Sequence, residues 1–499
     1  MGVSVPRAEE AREASTMARP PYPAYLGRAL FFVRGLFGTS RDSFLHQATD
    51  RLLEIAPFLT TLILLAVYPL LRYLLRDPFP AEVFRFAFIC FWIGFLIVSM
   101  IRAQKTRQTI LQNLETDWLD RLRSADAPLS HYMIFMPLKN EGNRHVLYQT
   151  FRSVEQLRYP KSLVTLVPIV EAEDRLTLEK LSEVVTAFKS RLQVEPFVYP
   201  TVDVPVKCKA TSVSMAARWL AGRTDRGEFL GGPGGVKILI IDADTLLHKQ
   251  DLGFRETTHR IEEAKAAARG LRGVVLQSLT TYTANYWKVP MLPRLHNTGF
   301  VLYQMGKMQT QGDYLVLGPG TSIDLRAFRD VDYFEPNRHN EDMQFRYKVV
   351  MEGYHVAPLK IPTWGQAPLT TKESWGQIAR WARGAVDVKF VVRYERKCPR
   401  SSVTFFRSKT YQALRALLAN AMPPLTVLLP AQLILISWIS PCVRELWPVP
   451  IFLSPDILAL KLQGKSLCVS PMAAFNIVFQ TIVLTSSTLL GMVVVPHTM

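Results

Sequence analysis

Val236-Lys-Ile-Leu-Ile-Ile-Asp-Ala-Asp244 is the stretch whose reading decides the fold. A short, near-continuous apolar run that stops at two carboxylates reads as a strand buried on both faces, with its carboxyl end opening on a crevice. Three further runs have the same character: Tyr132-Met-Ile-Phe-Met-Pro137, Leu163-Val-Thr-Leu-Val-Pro-Ile-Val170 and Gly273-Val-Val-Leu-Gln277. Helical, charged stretches such as Ala210–Leu220 lie between them. This alternation predicts an α/β domain, a mostly parallel sheet with flanking helices, over residues 102–400.

Outside that domain the composition changes. Ile55–Leu71 and Val83–Ile101 are apolar runs, ended by Arg72 and Arg102. Each is near the length that crosses a hydrocarbon core of ~30 Å, and together they read as a transmembrane hairpin. The flanks outside the hairpin carry more basic residues than its connector, which predicts cytosolic flanks. Hydrophobic runs return at Leu414–Ile439, which Pro423, Pro424 and Pro430 would kink, and at Met472–Val495. Ile451–Leu462 between them is short and mixed, as in an interfacial or re-entrant piece. Residues 1–54 form a polar arm in which Leu26–Phe37 suits either a helix on the membrane surface or a short buried one. The expected layout is an arm (1–54), a hairpin (55–101), the α/β domain (102–400), and an interfacial helix with C-terminal transmembrane helices (401–499). A multi-pass integral protein of a bacterial inner (plasma) membrane, with the α/β domain in the cytoplasm, fits that layout.

Composition agrees. Of 499 residues 48% are hydrophobic, mean hydropathy is +0.09, and 59 basic against 42 acidic residues give a net charge of +17. The basic residues flank apolar runs and form no basic helix with interleaved aromatics, so no nucleic acid is expected as a partner. The five cysteines form no Cys-x-x-Cys pair, which excludes the usual zinc and redox motifs and suits a reducing compartment. The N-terminus lacks the apolar core of a secretory signal.

Three motifs can carry chemistry. Asp242 and Asp244 sit two positions apart at a strand end, so they start on one face and can hold Mg²⁺ or Mn²⁺ bridging a diphosphate. A strand end with capping aspartates reads the same way. In His339-Asn-Glu341-Asp342-Met-Gln-Phe-Arg346, adjacent carboxylates open a helix, where the dipole tolerates them. A carboxylate placed there can accept a proton from an attacking hydroxyl, or simply cap the helix. In Gln377-Ile-Ala-Arg380-Trp381, helical spacing lets Gln377, Arg380 and Trp381 share one face. They can then contact phosphate and stack on a sugar, or form a membrane-adjacent helix with an aromatic anchor. Gly231-Gly-Pro-Gly-Gly235 reads as a flexible connection, because no Lys-Ser/Thr follows it.

The order of these pieces resembles the membrane-integrated family 2 glycosyltransferases, the group of cellulose, chitin and hyaluronan synthases and ceramide glucosyltransferase. The resemblance covers residues 130–385. It rests on Pro137-Leu-Lys-Asn140-Glu141-Gly, Glu171-Ala-Glu173-Asp174, Lys207-Cys-Lys209-Ala210, Asp242-Ala-Asp244, Gly318-Pro-Gly320-Thr321, Glu341-Asp342 and Gln377–Trp381. It implies a GT-A-like fold and an inverting transfer from a nucleotide-sugar, by family habit a UDP-sugar. It implies Asp174 at the base, with Glu173 and Glu171 as rivals, and Lys209 at base or phosphate. Asp242 and Asp244 would serve nucleotide and metal, and Asp342 would be the general base with Glu341 beside it. Gln377 and Arg380 would meet the diphosphate and Trp381 the acceptor. The expected partners are a nucleotide-sugar, a polysaccharide or lipid acceptor, membrane lipids and, for a polymer, an export subunit. The sequence departs from the family where Asn340 precedes Glu341 and Ser214 replaces a common Asn, and no cyclic-dinucleotide module follows the domain.

Overall fold

The structure, a computed structural model, describes residues 78–415 apart from 202–203, 205, 229–233, 311, 336–340, 375, 378–387, 395–407 and 409. The polar arm, the first apolar run, most of the glycine-rich connection, Arg380, Trp381 and all but the start of the C-terminal apolar region lie outside the described residues.

The strands are β1 (His131–Pro137), β2 (Val164–Glu171), β3 (Gln193–Val194), β4 (Phe197–Tyr199), β5 (Val236–Ile240), β6 (Leu246–Leu247), β7 (Gly273–Thr281), β8 (Thr321–Asp324) and β9 (Tyr354–Trp364). They form one sheet in the order β3-β2-β1-β5-β8-β7-β9-β6, and β4 also pairs with β2. The helices that matter below are α1 (Pro78–Glu115), α2 (Arg144–Glu155), α3 (Arg175–Phe188), α4 (Lys209–Asp225), α5 (Asp251–Ala268), α6 (Met291–Lys307) and α7 (Glu341–Met351).

The apolar strands are continuous because both of their faces are buried. On β1, Met133 and Phe135 join one core with Ala210, Val213 and Ala217 of α4. The alternate Tyr132, Ile134 and Met136 join another with Leu147 and Phe151 of α2 and Leu181 of α3. The same split holds on β5, with Ile238 and Ile240 on the first side and Leu239 and Ile241 on the second. These side chains are buried, and each Ile, Leu, Met, Phe and Val among them stabilises by about 1.5–3 kcal/mol relative to exposure.

The sheet is mostly parallel, as expected, with antiparallel pairings of β8 and β6 that the expectation did not include. β1 pairs parallel with β2 and β5, but β8 runs antiparallel to both β5 and β7. Gly318 and Gly320 both take φ of +80°, a region that L side chains avoid. Thr321 pairs with Ile240, so β8, which the chain reaches by way of α5, β7 and α6, starts at the carboxyl end of β5 and runs back beside it. A Cβ on Gly320 would overlap the Ser278 hydroxyl, so the close approach also requires glycine.

Beneath this turn lies a buried ion pair. Arg255 donates from Nε and Nη2 to the Asp251 carboxylate at 2.9 and 3.1 Å, and from Nη1 to Gly320 O at 3.0 Å and Ser322 Oγ at 3.1 Å. Both partners are 0% exposed.

Helix α1 takes in the apolar run Val83–Ile101 and continues onto the domain, where Thr106 Oγ1 donates to Met305 O at 2.8 Å. Among the residues described together with their side chains, no helix is long and apolar enough to cross a membrane. The mixed sheet with flanking helices fits the GT-A-like fold that the resemblance implies.

Candidate active site

The carboxyl ends of β1, β2 and β5 open on one crevice. After β5 the chain passes through a tight turn, in which Thr245 Oγ1 accepts from Asp242 N at 3.0 Å and Asp242 O accepts from Thr245 N at 3.0 Å. Strand alternation carries Asp242 to the α4 side, and there its Oδ1 forms an ion pair with Nζ of Lys209, the first residue of α4. Asp244 Oδ2 accepts from Gln366 N at 2.8 Å. Burial and the neighbouring Asp242 raise the Asp244 carboxyl above its ordinary range, against the Gln366 amide and Lys209.

Asp342 lies in the first turn of α7, far away in sequence but close in space. Its Oδ1 accepts from Met343 N at 2.7 Å. A Cβ placed on Gly318 would stand 3.3 Å from Lys209 Nζ and 3.6 Å from Asp342 Oδ2, so these groups surround one point. Burial pushes Asp342 up to about 7, helped by the adjacent Glu341 and by Asp242, and opposed by the Met343 amide and Lys209. Lys209 is held above its usual value. Burial lowers it, but Asp242, Glu341 and Asp342 together outweigh burial.

The other predicted residues divide. Asp174 caps α3, with its Oδ1 accepting from Thr177 N at 3.1 Å and its Oδ2 from Thr177 Oγ1 at 2.6 Å and Asn140 N at 2.7 Å. Burial raises its carboxyl, but these bonds and Lys139 win, and it sits below the usual range. Glu171 is 3.4 Å from Lys139, and Glu173 accepts from Thr201 N at 3.0 Å. All three therefore line the turn from β2 into α3.

Gln377 is helical together with Gly376, as are residues 371–374 shortly before them. It borders a pocket of about 500 Å³ with Gln366, Leu369, Glu373 and Gly376. Gln366 joins this pocket to Asp244 through its amide. Gln377 Oε1 is buried and has no hydrogen-bond partner among the described residues.

One group was missed as a site residue. Glu141, in the turn after β1, has its carboxyl raised by burial and by the charges of Asp244 and Asp174. Its backbone amide donates to Thr177 Oγ1 at 2.8 Å, which ties it to the cap of α3. The signal was present in Asn140-Glu141-Gly142, an acidic residue at a strand end, but only the fold shows it beside Asp244.

A divalent cation fits the donor set. Asp242 and Asp244 offer hard oxygens on one strand end, and their mutual repulsion is what a cation relieves. No group of three or more His, Cys, Asp or Glu ligands occurs among the described residues.

No curated protein matches the chain. Among solved structures, the chain is similar to the mannosyltransferase PcManGT from Pyrobaculum calidifontis in complex with GDP-Man and Mn²⁺, at 14% identity over 79% of this chain and 99% of that one, with a TM-score of 0.43. It is also similar to residues 1–349 of TarS from S. aureus in complex with UDP-GlcNAc, at 12% identity over 59% of this chain and 73% of that one, with a TM-score of 0.36. Residues 237–477 match the family model described as glycosyl transferase family group 2. The match opens on β5 and takes in Asp242, Asp244, Gly318 and Asp342, and over it the chain carries a family 2 glycosyltransferase domain.

Proposed function

We propose that the crevice inverts a sugar from a nucleotide-sugar, with a UDP-sugar favoured, onto a polysaccharide chain at the membrane. The convergence of Lys209, Asp242, Asp342 and Gly318 on one point carries this reading. The donor's diphosphate lies against Lys209, Asp242 and Asp244, and the base lies toward Asp174, Glu173 and Glu171. Asp342 takes the proton of the acceptor hydroxyl. The hydroxyl oxygen bonds to the anomeric carbon from the face opposite the leaving group, and the bond from that carbon to the diphosphate breaks. Lys209 meets the charge that builds on the leaving nucleoside diphosphate, a role the resemblance also gives Gln377 and Arg380. A divalent cation, when bound, adds positive charge there. Trp381 orients the acceptor. Two apolar runs on each side of the domain support a reaction at a membrane and suit outward passage of a growing chain.

The same residues suit a single transfer to a membrane lipid, which the apolar flanks also favour. The deciding experiment supplies the purified full chain with Mn²⁺ and a panel of nucleotide-sugars, then sizes the products by mass. A ladder of long products is expected; single-sugar lipid products would establish the second reading, and no nucleoside diphosphate release with any donor would remove both. Because Asp342 holds its proton to about 7, kcat/KM should fall tenfold per pH unit below about 7 as the base protonates. A flat profile between about pH 5 and 8 would count against Asp342 as the base.

A further inference from the structure

A second cluster of charge lies where α1, α6, α7 and the helical residues 410–415 meet. Arg102 directly follows the apolar run Val83–Ile101, and Arg415 stands at the opening of the run Leu414–Ile439. On α1, Arg102 falls between Ser99 and Thr106. The Ser99 carbonyl lies 3.2 Å from where a Cβ on Gly306 would stand, and Thr106 Oγ1 bonds Met305 O at 2.8 Å. That packing sets Arg102 beside Lys307, the last residue of α6. Lys307 Nζ lies 5.7 Å from the Tyr303 ring centroid. Arg346, on α7, reaches the same place from below, with its Nε donating to Tyr314 O at 2.7 Å.

The cations crowd one another. Burial lowers Lys307, and the charges of Arg415, Arg346 and Arg102 lower it further. Burial and then Arg415 push Arg346 down to about 10. Among the described residues, Arg102, Lys307 and Arg415 form no ion pair. Asp313 acts on Arg346 but already accepts from Val356 N at 3.1 Å and pairs with His355 Nδ1 at 2.9 Å. A fold that gathers cations without matching carboxylates is arranged to receive an anion. Beside them stand Ile97, Val98, Ile101 and Leu414, large apolar residues that are 39%, 43%, 54% and 52% exposed. Crowded cations bordered by exposed aliphatic side chains match an ionic head joined to hydrocarbon chains.

We propose that Arg102, Lys307 and Arg415, backed by Arg346, form a binding site for the phosphate group of an anionic lipid, whose chains lie along Ile97, Val98, Ile101 and Leu414. The site shares no residue with the crevice, although Arg346 stands one turn along α7 from Asp342, and it does not rest on the reading of the transfer reaction.

The test uses the purified full chain in neutral detergent, with thermal unfolding and native mass spectrometry as readouts. The probes are dioleoyl-phosphatidylglycerol, dioleoyl-phosphatidylcholine and inorganic phosphate. The anionic lipid should raise the melting temperature and stay bound, and the zwitterionic lipid should do neither. Each cation near an anionic lipid contributes enough that Lys307→Gln with Arg415→Gln should weaken retention at least about tenfold. Without lipid, Lys307→Gln alone should melt no lower than the parent, because it relieves crowding, and it carries the same readout if the double variant does not fold. Equal retention of the two lipids, undiminished retention by the variants, or equal stabilisation by inorganic phosphate would each overturn the lipid site.

Discussion

Asp342→Asn is expected to lower kcat about 10²–10⁴-fold, the usual share of a general base, while donor affinity stays within about threefold. The substitution keeps the shape and the acceptor oxygen that receives Met343 N at 2.7 Å. Lys209 keeps its ion pair with Asp242, so the positive charge facing the diphosphate persists. What is lost is the capacity to take a proton. The same variant carries a stability signature with a defined sign. Burial and Glu341 raise the Asp342 carboxyl in the folded protein. A raised acid favours the fold while it is protonated and costs stability as pH climbs from its unfolded value toward about 7. Asn escapes that cost. The variant should therefore melt higher than the parent at pH 8 by a few °C, and the gain should shrink toward pH 4. Transfer near the parental rate would remove the base assignment; a uniform drop in melting temperature at every pH would instead mean damage to the fold.

Arg255→Met should be the most damaging single change under the crevice. Asp251 and Arg255 are both 0% exposed, so Met would strand a carboxylate in the interior. It would also remove the Arg255 donor to Gly320 O at 3.0 Å, at a turn that glycine φ values already make demanding. Breaking one side of a buried pair costs about 3–5 kcal/mol, or roughly 10 °C in melting temperature for a domain of this size. Adding Asp251→Leu should return much of the loss, because an apolar pair leaves no stranded charge. A thermal melt of both variants checks this. Little change in Arg255→Met would show that the pair does not hold the turn.

The sequence revealed the elements that are apolar throughout. β1, β2, β5 and β7 were legible because both of their faces are buried and their side chains read as unbroken runs. β8 was not. Thr321 and Ser322 are buried through hydrogen bonds, with Thr321 Oγ1 donating to Gln277 Oε1 at 2.6 Å and Ser322 Oγ accepting from Arg255 at 3.1 Å. Polar residues satisfied in this way leave no hydrophobic period to read. β9 hid behind Pro358 and Pro362, which argue against an interior strand. The sheet accommodates them at an irregular stretch of its pairing with β7, where the register shifts at Ser278/Leu279. For the site, strand-end carboxylates and a helix-opening pair could be picked out by type and order. The placement of Glu141 beside Asp244, and the amide of Gln366 on Asp244, could not, because they depend on loops that meet only after the sheet has formed. The antiparallel placement of β8 likewise depends on a connection through α6 and on the close approach at Gly320, which composition does not disclose.

The account turns on Lys209, Asp242, Asp244 and Asp342 enclosing one donor pocket. The most direct measurement is an experimental structure of Asp342→Asn soaked with Mn²⁺ and its preferred nucleotide-sugar, with the metal located by anomalous scattering. The account predicts the metal signal on the Asp242–Asp244 carboxylates, the diphosphate against Lys209 and the anomeric carbon facing residue 342. A nucleotide bound elsewhere, or a metal remote from both aspartates, would contradict it.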